Sequence, residues 1–358
     1  MKQIAIVVTN LAGSGGEKIA IEQAKLFYNN GHKVVLFLLE DVQKYDTTDL
    51  EFDIMPLTKR KDTFKFLGKL GDKIYALLLE NKMKQYGKFD LVVSNLPRAD
   101  RVVKLINHPN KYFVIHTSYK TELLSMKKSR ANKKLKLYQY LYKDKKLITI
   151  SKAMIGELED IGINYKQIQC IYNPFDFKHI REKAKEPIDL NFDYIISPSA
   201  FRKGKRYDIL LDAFKQIKSN IKLLILAKPH PKLVEMIKQR DLEDRVEILG
   251  FQQNPYKYIK NAKLLVLSSD REGLPTVVIE SLILGTPVVS TDCPTGPGEI
   301  LTGDLAKWLV PVRDSDTLAK KINQALDSNI IIDKSHIEKF NLTNIQKEYS
   351  LLLDTDDE

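Results

Sequence analysis

The chain has 358 residues, 43% hydrophobic and 29% charged, a globular composition long enough for two domains that each bury a core. Its two cysteines, Cys170 and Cys293, exclude a disulfide framework and a cysteine-based metal cluster, which predicts a reducing compartment. No apolar run approaches the roughly 18 residues of a membrane-spanning helix, and no secretory signal pattern opens the chain, so we expect a cytoplasmic protein.

Positive charge is concentrated in the first half of the chain. Residues 1–175 carry 30 Lys and Arg against 18 Asp and Glu, whereas the rest carries 27 against 28. The net charge of +11 therefore comes from the first half. This asymmetry predicts an anionic partner for that half.

A glycine-rich loop, residues 11–18, follows the first predicted strand and is expected to lead into a helix over residues 19–28. Gly15 and Gly16 let the backbone approach a ligand at a helix N-terminus, which attracts phosphate. A dinucleotide-binding fingerprint would need a glycine at Lys18, so an oxidoreductase is disfavoured. The glycines could instead simply form the tight turn.

A helix is predicted around residues 61–78, with lysines every four residues forming a basic ridge opposite its apolar face. The ridge comprises Lys61, Lys65, Lys69 and Lys73. The apolar face comprises Phe66, Leu67, Leu70, Ile74, Leu77 and Leu78. Two apolar runs, residues 91–95 and 112–116, then read as strands. His116 ends the second of these, at the position where ligand contacts gather in a parallel sheet.

The segment from Lys127 to Lys146 contains nine basic residues and one acid, Asp144. Leucines and tyrosines are interleaved with them, namely Leu135, Leu137, Tyr138, Tyr140, Leu141 and Tyr142. A basic, tyrosine-rich amphipathic helix is typical of a membrane interface. Two alternatives stay open, a nucleic-acid surface and the solvated face of a core helix.

The second half begins after a polar stretch, residues 177–187, that is typical of a linker. A strand at residues 194–197 precedes a basic loop, residues 199–206, and then a helix. Later, the buried strand Leu264–Leu267 is followed by a loop, and Pro275 is expected in the first turn of the next helix, where a missing N–H costs nothing.

Two acids flank the start of that helix. Glu272 lies on the loop and Glu280 lies within the helix, about 7.5 Å further along its axis at 1.5 Å per residue. The helix N-terminus favours phosphate, so a carboxylate beside it is better suited to sugar hydroxyls. The spacing therefore fits a nucleotide-sugar, with a diphosphate between two hydroxyl-bearing ends. An ordinary surface acid at Glu280 is the alternative.

Glu272, seven intervening residues and Glu280, followed by Ser281-Leu-Ile-Leu-Gly-Thr-Pro-Val-Val-Ser-Thr-Asp292, resemble the signature of retaining nucleotide-sugar glycosyltransferases of the GT-B fold, family 4. The resemblance implies an α/β fold of two Rossmann-like doubly wound lobes with a cleft between them. The lobes would span residues 1–175 and 176–340, with residues 341–358 forming a C-terminal helix that crosses back to the N-terminal lobe.

The resemblance also implies roles for individual residues in the second lobe. Glu272 would contact the donor sugar, Glu280 the donor ribose, and Lys205 would occupy the position of the family lysine that binds the leaving diphosphate. Ala200 stands where the family has an arginine, and Arg202 is the candidate substitute. Donor contacts are also expected from Gly273, Leu274 and Thr276, and from Phe251 beside the nucleotide base, although Phe251 could equally have a packing role.

In the first lobe the resemblance places His116 near the donor sugar and Gly16 near donor phosphate. Gly15 would belong to the acceptor or phosphate loop. A lone histidine is more often structural, and that alternative stays open for His116.

These observations predict a hexosyltransferase that uses a nucleotide-sugar, with UDP-sugar as the expected class. The acceptor would be a membrane-associated glycan or lipid-linked acceptor in lipopolysaccharide or other surface polysaccharide synthesis. We expect no metal and no other cofactor, because no Asp-x-Asp signature occurs near the site. The basic first lobe would bind the anionic inner face of the cell membrane, and we expect no nucleic-acid partner.

Three competing hypotheses remain from the sequence. The first is a nucleotide-sugar epimerase or a glycogen-synthase-like enzyme on the same fold. The second, suggested by charge alone, is a non-enzymatic protein that binds nucleic acid. The third is a catalytically silent scaffold at the membrane surface.

Overall fold

The structure, a computed structural model, describes residues 1–353; residues 354–358 of the predicted C-terminal helix lie outside the described residues, as does the Lys65 side chain of the predicted basic ridge. The chain forms two compact units. The first comprises Met1–Pro174 together with the residues from Leu342 onward, and the second comprises Phe175–Asn341.

The first unit is built on a seven-stranded parallel sheet with the order β3-β2-β1-β4-β5-β6-β7. Its strands are β1 Gln3–Val8, β2 Lys33–Leu38, β3 Asp53–Pro56, β4 Leu91–Asn95, β5 Lys111–Ile115, β6 Lys146–Thr149 and β7 Gln167–Cys170. The central strands are runs of apolar, often β-branched residues, and Ile4 to Val8 are fully buried, as expected for a sheet covered by helices on both faces.

Six helices connect these strands. They are α1 Gly15–Asn29, α2 Lys69–Tyr86, α3 Pro97–Val103, α4 Tyr119–Leu124, α5 Lys128–Tyr142 and α6 Ala153–Asp160. The strand order reverses between β1 and β4, so the loops that follow these two strands lie side by side. Open α/β sheets bind ligands at such a reversal.

The second unit repeats the architecture with a six-stranded parallel sheet, ordered β10-β9-β8-β11-β12-β13. Its strands are β8 Tyr194–Ser197, β9 Lys222–Ile225, β10 Val246–Ile248, β11 Leu264–Leu267, β12 Val288–Thr291 and β13 Leu309–Val310. Its helices are α7 Phe177–Lys183, α8 Tyr207–Lys215, α9 Pro231–Lys238, α10 Tyr256–Asn261, α11 Thr276–Ile283, α12 Pro297–Ile300 and α13 Ser315–Leu326. Here the order reverses between β8 and β11. The prediction of two Rossmann-like α/β lobes is confirmed.

The last helix, α14 Leu342–Ser350, belongs to the first unit although it follows the second in sequence. It buries Ile345 and Tyr349. The Tyr349 ring packs edge-on against Phe27 of α1, with centroids 5.5 Å apart. The carbonyl of Leu352 accepts a hydrogen bond from the Asn110 amide. These contacts make the end of the described chain part of the first core.

The predicted apolar face of the helix around residues 61–78 is wrong. The helix α2 starts only at Lys69, and it turns Tyr75, Leu79 and Met83 toward the core. Phe66 and Leu77, assigned to the core, are 83% and 62% exposed. The buried face is the one that carries Tyr75, a large side chain. The helical period counted from Phe66 did not include Tyr75 and so gave the wrong face.

The structure also corrects the prediction for the basic, tyrosine-rich segment. Tyr138, Leu141 and Tyr142 of α5 are buried, and Tyr119 of α4 stacks on Tyr138 with ring centroids 3.8 Å apart. These side chains therefore form the core and are not available as membrane anchors. Tyr140 is 57% exposed, with the Lys104 ammonium lying over its ring. The segment is thus a core helix with a solvated basic face.

Two further boundaries differ from the prediction. The helix α1 begins at Gly15, so Gly15 and Gly16 form its first turn and not the loop before it. The stretch predicted as a linker, residues 177–187, contains α7, which Asp176 caps by accepting the backbone N–H of His179. Phe177 to Lys183 are helical because this cap and the buried Ile180 outweigh the polar composition.

Candidate active site

The loop that carries Glu272 lies between β11 and α11, at the carboxyl end of the sheet. Pro275 precedes α11 as its N-cap residue, one position earlier than predicted. Its backbone is extended, with φ −69° and ψ 98°, as suits a residue that introduces a helix. Leu274 is 5% exposed and anchors the loop in the core, whereas Gly273 is only half-buried.

Lys205 and Glu272 meet in an ion pair. The Lys205 Nζ donates to Glu272 Oε1 at 2.6 Å, and the Ser269 hydroxyl donates to the same oxygen. The two charged side chains are 25% and 12% exposed, so the pair is partly shielded from water. The adjacency of β8 and β11 explains the contact, because each residue lies on the loop that follows one of these strands.

Backbone and side-chain bonds fasten these two loops together. The Asp270 N–H donates to the Gly204 carbonyl at 2.8 Å, and the Ser268 hydroxyl donates to the Lys205 carbonyl at 2.8 Å. The Arg206 guanidinium donates to the Asp270 carboxylate at 3.1 Å. The position of the Lys205 backbone relative to the Glu272 loop is therefore fixed by several independent contacts.

Sequence reasoning missed Arg206 and Asp270, although both lie in stretches that were singled out. Arg206 also donates to Asp208, and Arg313 donates to Asp270 from the other side at 3.1 Å. The carboxylates beside it raise the pKa of Arg206 above its ordinary value, so its charge is permanent. The signal available in the sequence was the topology, which places residues after β8 and β11 side by side.

A third loop supports Glu272 from the side. The Glu272 N–H donates to the Pro294 carbonyl at 3.0 Å, and the Thr295 hydroxyl donates to the Gly273 carbonyl at 2.8 Å. Gly296 has φ +96°, and a Cβ there would lie 2.6 Å from the Gly273 carbonyl oxygen. Only glycine fits this contact, so the loop after β12 packs directly on the Glu272 loop.

Glu280 lies inside α11 and is 4% exposed, which makes it one of the few buried carboxyl groups of the second unit. An ordinary surface acid is therefore excluded at this position. Thr276, at the start of α11, is half-buried. Phe251 is 70% exposed, so the structure excludes a packing role in the core, and Arg202 is exposed as well. The structure thus brings Lys205 together with Glu272 but leaves Arg202 and Phe251 at the surface.

In the first unit, Gly15 and Gly16 start α1 at the reversal of the sheet. The Glu17 carboxylate accepts the N–H groups of Gly13 and Ser14 at 2.7 and 2.9 Å, so these two amides are already occupied. A phosphate at this turn would have to use the amides that follow. A Cβ on Gly16 would lie 2.7 Å from Leu96 Cδ2, so a larger residue here would require the Leu96 side chain to move.

His116 follows β5 and lies close to Gly16, where an added Cβ would be 3.5 Å from the imidazole Cγ. Its Nε2 is 2.8 Å from the Asn95 Oδ1. Burial lowers the pKa of His116 to about 4, so the ring is neutral at physiological pH. A neutral imidazole here can hydrogen-bond a substrate hydroxyl but carries no charge for a phosphate.

Asp100 is a second buried titratable group of the first unit, at the start of α3. Ser94 and Tyr142 donate to its two carboxylate oxygens at 2.6 and 2.7 Å. Burial raises the pKa of Asp100 to about 7, against the opposing effect of these two hydrogen bonds. It ties α3 to the tyrosine stack and is a structural group.

Within residues 1–353 no group of three or more His, Cys, Asp and Glu side chains is arranged to hold a metal ion. Lys205 places a positive charge against Glu272, and Arg206 places one against Asp270 of the same loop. None of the described helices is long and apolar enough to cross a membrane.

Two family models match consecutive parts of the chain. Residues 13–179 match Glycosyltransferase Family 4, and residues 179–340 match Glycosyl transferases group 1. The two matches meet close to the boundary between the structural units. Together they cover nearly all of both.

Among curated proteins, the chain is 28% identical over 341 residues to an N-acetylgalactosamine-N,N'-diacetylbacillosaminyl-diphospho-undecaprenol 4-alpha-N-acetylgalactosaminyltransferase of Campylobacter jejuni, covering 92% of this chain and 91% of that protein. It is 27% identical to the lipopolysaccharide 1,6-galactosyltransferase of Escherichia coli over 196 residues, about half of each chain, 53% and 55%.

Solved structures share the fold at lower identity. HepE of Anabaena, in a complex with UDP and glucose, superposes with a TM-score of 0.77 at 19% identity, covering 99% of this chain and 100% of that one. The sucrose-phosphate synthase of Thermosynechococcus elongatus gives 0.76 at 18% identity, with 98% of each chain covered.

Proposed function

Because this chain is a glycosyltransferase of the GT-B fold, with a family 4 domain followed by a group 1 domain, we propose that it transfers a hexose from a nucleotide-sugar, a UDP-sugar, to a membrane-associated glycan or lipid-linked acceptor. The observation that carries the proposal is the Lys205–Glu272 ion pair at 2.6 Å beside the N-terminus of α11, with Glu280 buried within the same helix. The relatives that act on undecaprenol-linked and lipopolysaccharide acceptors support the acceptor class.

Each charged group has a distinct role in the proposed reaction. Lys205 binds the diphosphate and stabilises the negative charge that develops as it leaves. When the diphosphate engages Lys205, Glu272 is released from its ion pair and accepts hydroxyl groups of the donor sugar. Glu280 accepts the ribose hydroxyls. Gly273, Leu274 and Thr276 place the N-terminal amides of α11 toward the diphosphate.

We assign retention of anomeric configuration through attack on the face from which the diphosphate departs. The bond between the anomeric carbon and the diphosphate oxygen breaks, and a bond to the acceptor oxygen forms on the same face. The proton of the acceptor hydroxyl passes to the departing diphosphate. A double displacement would need a carboxylate nucleophile, and in this proposal Glu272 is assigned to the hydroxyl groups of the donor sugar instead. The reaction needs no metal in this proposal, because Lys205 and the helix N-terminus supply the positive charge.

The donor site is tested by a thermal-shift panel of nucleotide-sugars followed by transfer assays. A donor at 100 times its dissociation constant adds about 2.7 kcal/mol of stability. Lys205→Ala should lower kcat by about 10²- to 10³-fold, the usual loss for one group that stabilises developing charge. Lys203→Ala is the matched control, since Lys203 is an exposed lysine of the same loop, and it should stay near wild-type.

Two results would overturn this proposal. Lys205→Ala and Lys203→Ala with the same kcat would remove Lys205 from the diphosphate site. Conversion of donor to free nucleotide and epimerised sugar without any acceptor would identify an epimerase. The anomeric proton coupling of the purified product, measured by NMR, distinguishes retention from inversion.

We further propose that the first unit binds the anionic inner face of the cell membrane through an exposed stripe that we call the α2 patch. It consists of Phe66, Leu70, Lys73 and Leu77. Leu70 is 56% exposed and lies one turn from Lys73 and two turns from Leu77. Leu70, Lys73 and Leu77 therefore share one face of α2. Apolar side chains with a lysine among them suit a bilayer surface of negative charge, so the α2 patch replaces α5 as the candidate membrane-binding surface.

Co-sedimentation with vesicles tests the α2 patch. Wild-type protein should bind vesicles that contain phosphatidylglycerol and not vesicles of phosphatidylcholine alone. The double variant Leu70→Glu and Leu77→Glu should lose binding. Leu124→Glu is the control, because Leu124 is an even more exposed leucine, 77%, on α4 of the same unit. Equal binding by the patch variant and the control would contradict the proposal, as would binding that ignores lipid charge.

A further inference from the structure

Four polar side chains, three of them buried and His116 half-buried, form a continuous line of hydrogen bonds from His116 to the C-terminal helix. His116 Nε2 lies 2.8 Å from Asn95 Oδ1, and the Asn95 amide nitrogen donates to Gln23 Oε1 at 3.0 Å. The Gln23 amide nitrogen in turn donates to the Tyr349 hydroxyl at 2.6 Å. We call these four side chains the His116 relay.

The relay crosses four elements of the first unit, namely α1, β4, the end of β5 and α14. Gln23 and Asn95 are fully buried, and Tyr349 is 1% exposed. Buried amide groups without partners are costly, so each bond of the line depends on the orientation of its neighbour. The buried Ile345 and the edge-on pair of Tyr349 with Phe27 already pack α14 on the first unit by apolar contacts.

The order of donors determines the tautomer of His116. Asn95 presents its carbonyl oxygen to the imidazole, and a carbonyl oxygen can only accept, so the proton must be on Nε2. The lone pair then remains on Nδ1, which has no hydrogen-bond partner among the described residues. The imidazole can therefore accept a hydrogen bond from a hydroxyl group through Nδ1.

The Tyr349 hydroxyl can accept as well as donate, so it allows this order, and its removal would disfavour it. If both amides turned over, Asn95 would donate to Nε2 and the histidine proton would move to Nδ1. In the observed order the Tyr349 hydroxyl accepts from the Gln23 N–H. Without that hydroxyl an N–H group would be buried without a partner, which is rarer in proteins than an unpartnered carbonyl oxygen, so the reverse order would be favoured.

We propose that Tyr349 and Gln23 are positioning residues that hold His116 in the Nε2–H tautomer, so that Nδ1 accepts a hydrogen bond from a hydroxyl of the substrate sugar. The inference rests on the proposed function for its last step, the contact with a sugar. The tautomer itself does not depend on that function. The C-terminal helix thereby controls the chemistry of a residue that lies more than 200 positions earlier in the chain.

The tautomer is measured directly on full-length protein labelled with ¹⁵N at histidine. The chain has six histidines, and the His116 signals are assigned as those that disappear in His116→Gln. Long-range ¹H–¹⁵N correlation spectra should show His116 protonated at Nε2 in the wild type. Tyr349→Phe, which removes only the hydroxyl, should shift the population toward Nδ1–H. Tyr138→Phe is the matched control, because its hydroxyl is also buried and donates to Glu122, outside the relay.

Transfer kinetics on the same variants test the functional step. Tyr349→Phe should lower kcat about tenfold, whereas Tyr138→Phe should leave it within about twofold. A wild-type spectrum with the proton on Nδ1 would overturn the proposed order, and this result needs no variant to fold. An unchanged tautomer in Tyr349→Phe would remove Tyr349 from the relay. A shifted tautomer with unchanged transfer would show that the relay exists but does not serve the reaction. If the wild-type protein itself transfers no sugar, that result would count against the proposed function alone.

Discussion

The packing of Gly296 against the Glu272 loop leads to a quantitative prediction for Gly296→Ala. The substitution adds a Cβ at 2.6 Å from the Gly273 oxygen and 2.7 Å from Pro275 Cδ, at φ +96°. The backbone conformation, whose ψ of −54° lies outside the left-handed helical region, costs a side chain about 1–3 kcal/mol. The overpacking adds about 1–3 kcal/mol, so the second unit should lose about 2–6 kcal/mol of unfolding free energy.

Gly285→Ala separates these two contributions. Gly285 also has a positive φ, +80°, but apart from its two chain neighbours no atom of the described chain lies within 4 Å of the added Cβ. Its expected loss is therefore about 1–2 kcal/mol, from the backbone conformation alone. Because Gly285 follows α11 and Gly296 supports its start, both substitutions report on the same unit.

The assay is urea unfolding followed by tryptophan fluorescence. Trp308 is the only tryptophan of the chain and is buried in the second unit, so its emission reports the unfolding of that unit. Gly296→Ala should also weaken donor binding, because relief of the clash moves Gly273 and with it Glu272. If the two variants lose the same unfolding free energy within about 0.5 kcal/mol, the reasoning is refuted. The contact with Gly273 would then add nothing to the need for glycine beyond the backbone angle.

Three further predictions follow from other parts of the two units. Asp270→Asn removes charge from the pairs with Arg206 and Arg313 and should lower kcat about tenfold in a transfer assay. Asp208 also pairs with Arg206 but does not hold the Glu272 loop, so Asp208→Asn should leave kcat unchanged. Equal effects of the two substitutions would contradict this. Burial lowers the pKa of His116 from 6.5 to about 4, so between pH 4 and pH 6.5 the unfolded chain binds a proton that the folded protein does not. The free energy of unfolding should therefore rise with pH across that window, by up to about 3 kcal/mol. Burial raises the pKa of Asp100 from 3.8 to about 7, so the contribution of Asp100 to the unfolding free energy should fall with rising pH. Urea unfolding at several pH values should show a shallower rise of stability with pH for His116→Gln and a steeper one for Asp100→Asn. Unchanged slopes would refute both assignments. Dialysis against a chelator should leave transfer within about twofold of the untreated enzyme, and a loss that Mg²⁺ restores would show that a metal is required.

The strands of both units were accessible from sequence because parallel strands buried on both faces are short apolar runs. Leu264–Leu267 was predicted with the bounds that the structure has. Helix faces were less accessible. Around residues 61–78 leucines occur on both sides, and the choice of face depends on Tyr75, whose fit against Phe64 and Arg98 is a tertiary property.

The candidate site divides in the same way. Lys205 and Glu272 were singled out by residue type and resemblance, and the strand order explains why they meet. Arg206 and Asp270 could not be recognised from the sequence as site residues, because their role depends on a contact between two loops that are distant in sequence. The relay from His116 to Tyr349 was out of reach for the same reason: two amides and a phenol leave no pattern until the chain is folded.

The place of α14 in the first unit has a consequence for biosynthesis. Residues 342–352 leave the ribosome after the whole of the second unit, yet they supply the contacts of Gln23, Phe27 and Asn110. The N-terminal core is therefore completed only when translation reaches the last helix, and a nascent chain halted near residue 341 would expose the groove that α14 fills. Premature termination late in the message should thus damage the beginning of the protein more than its middle.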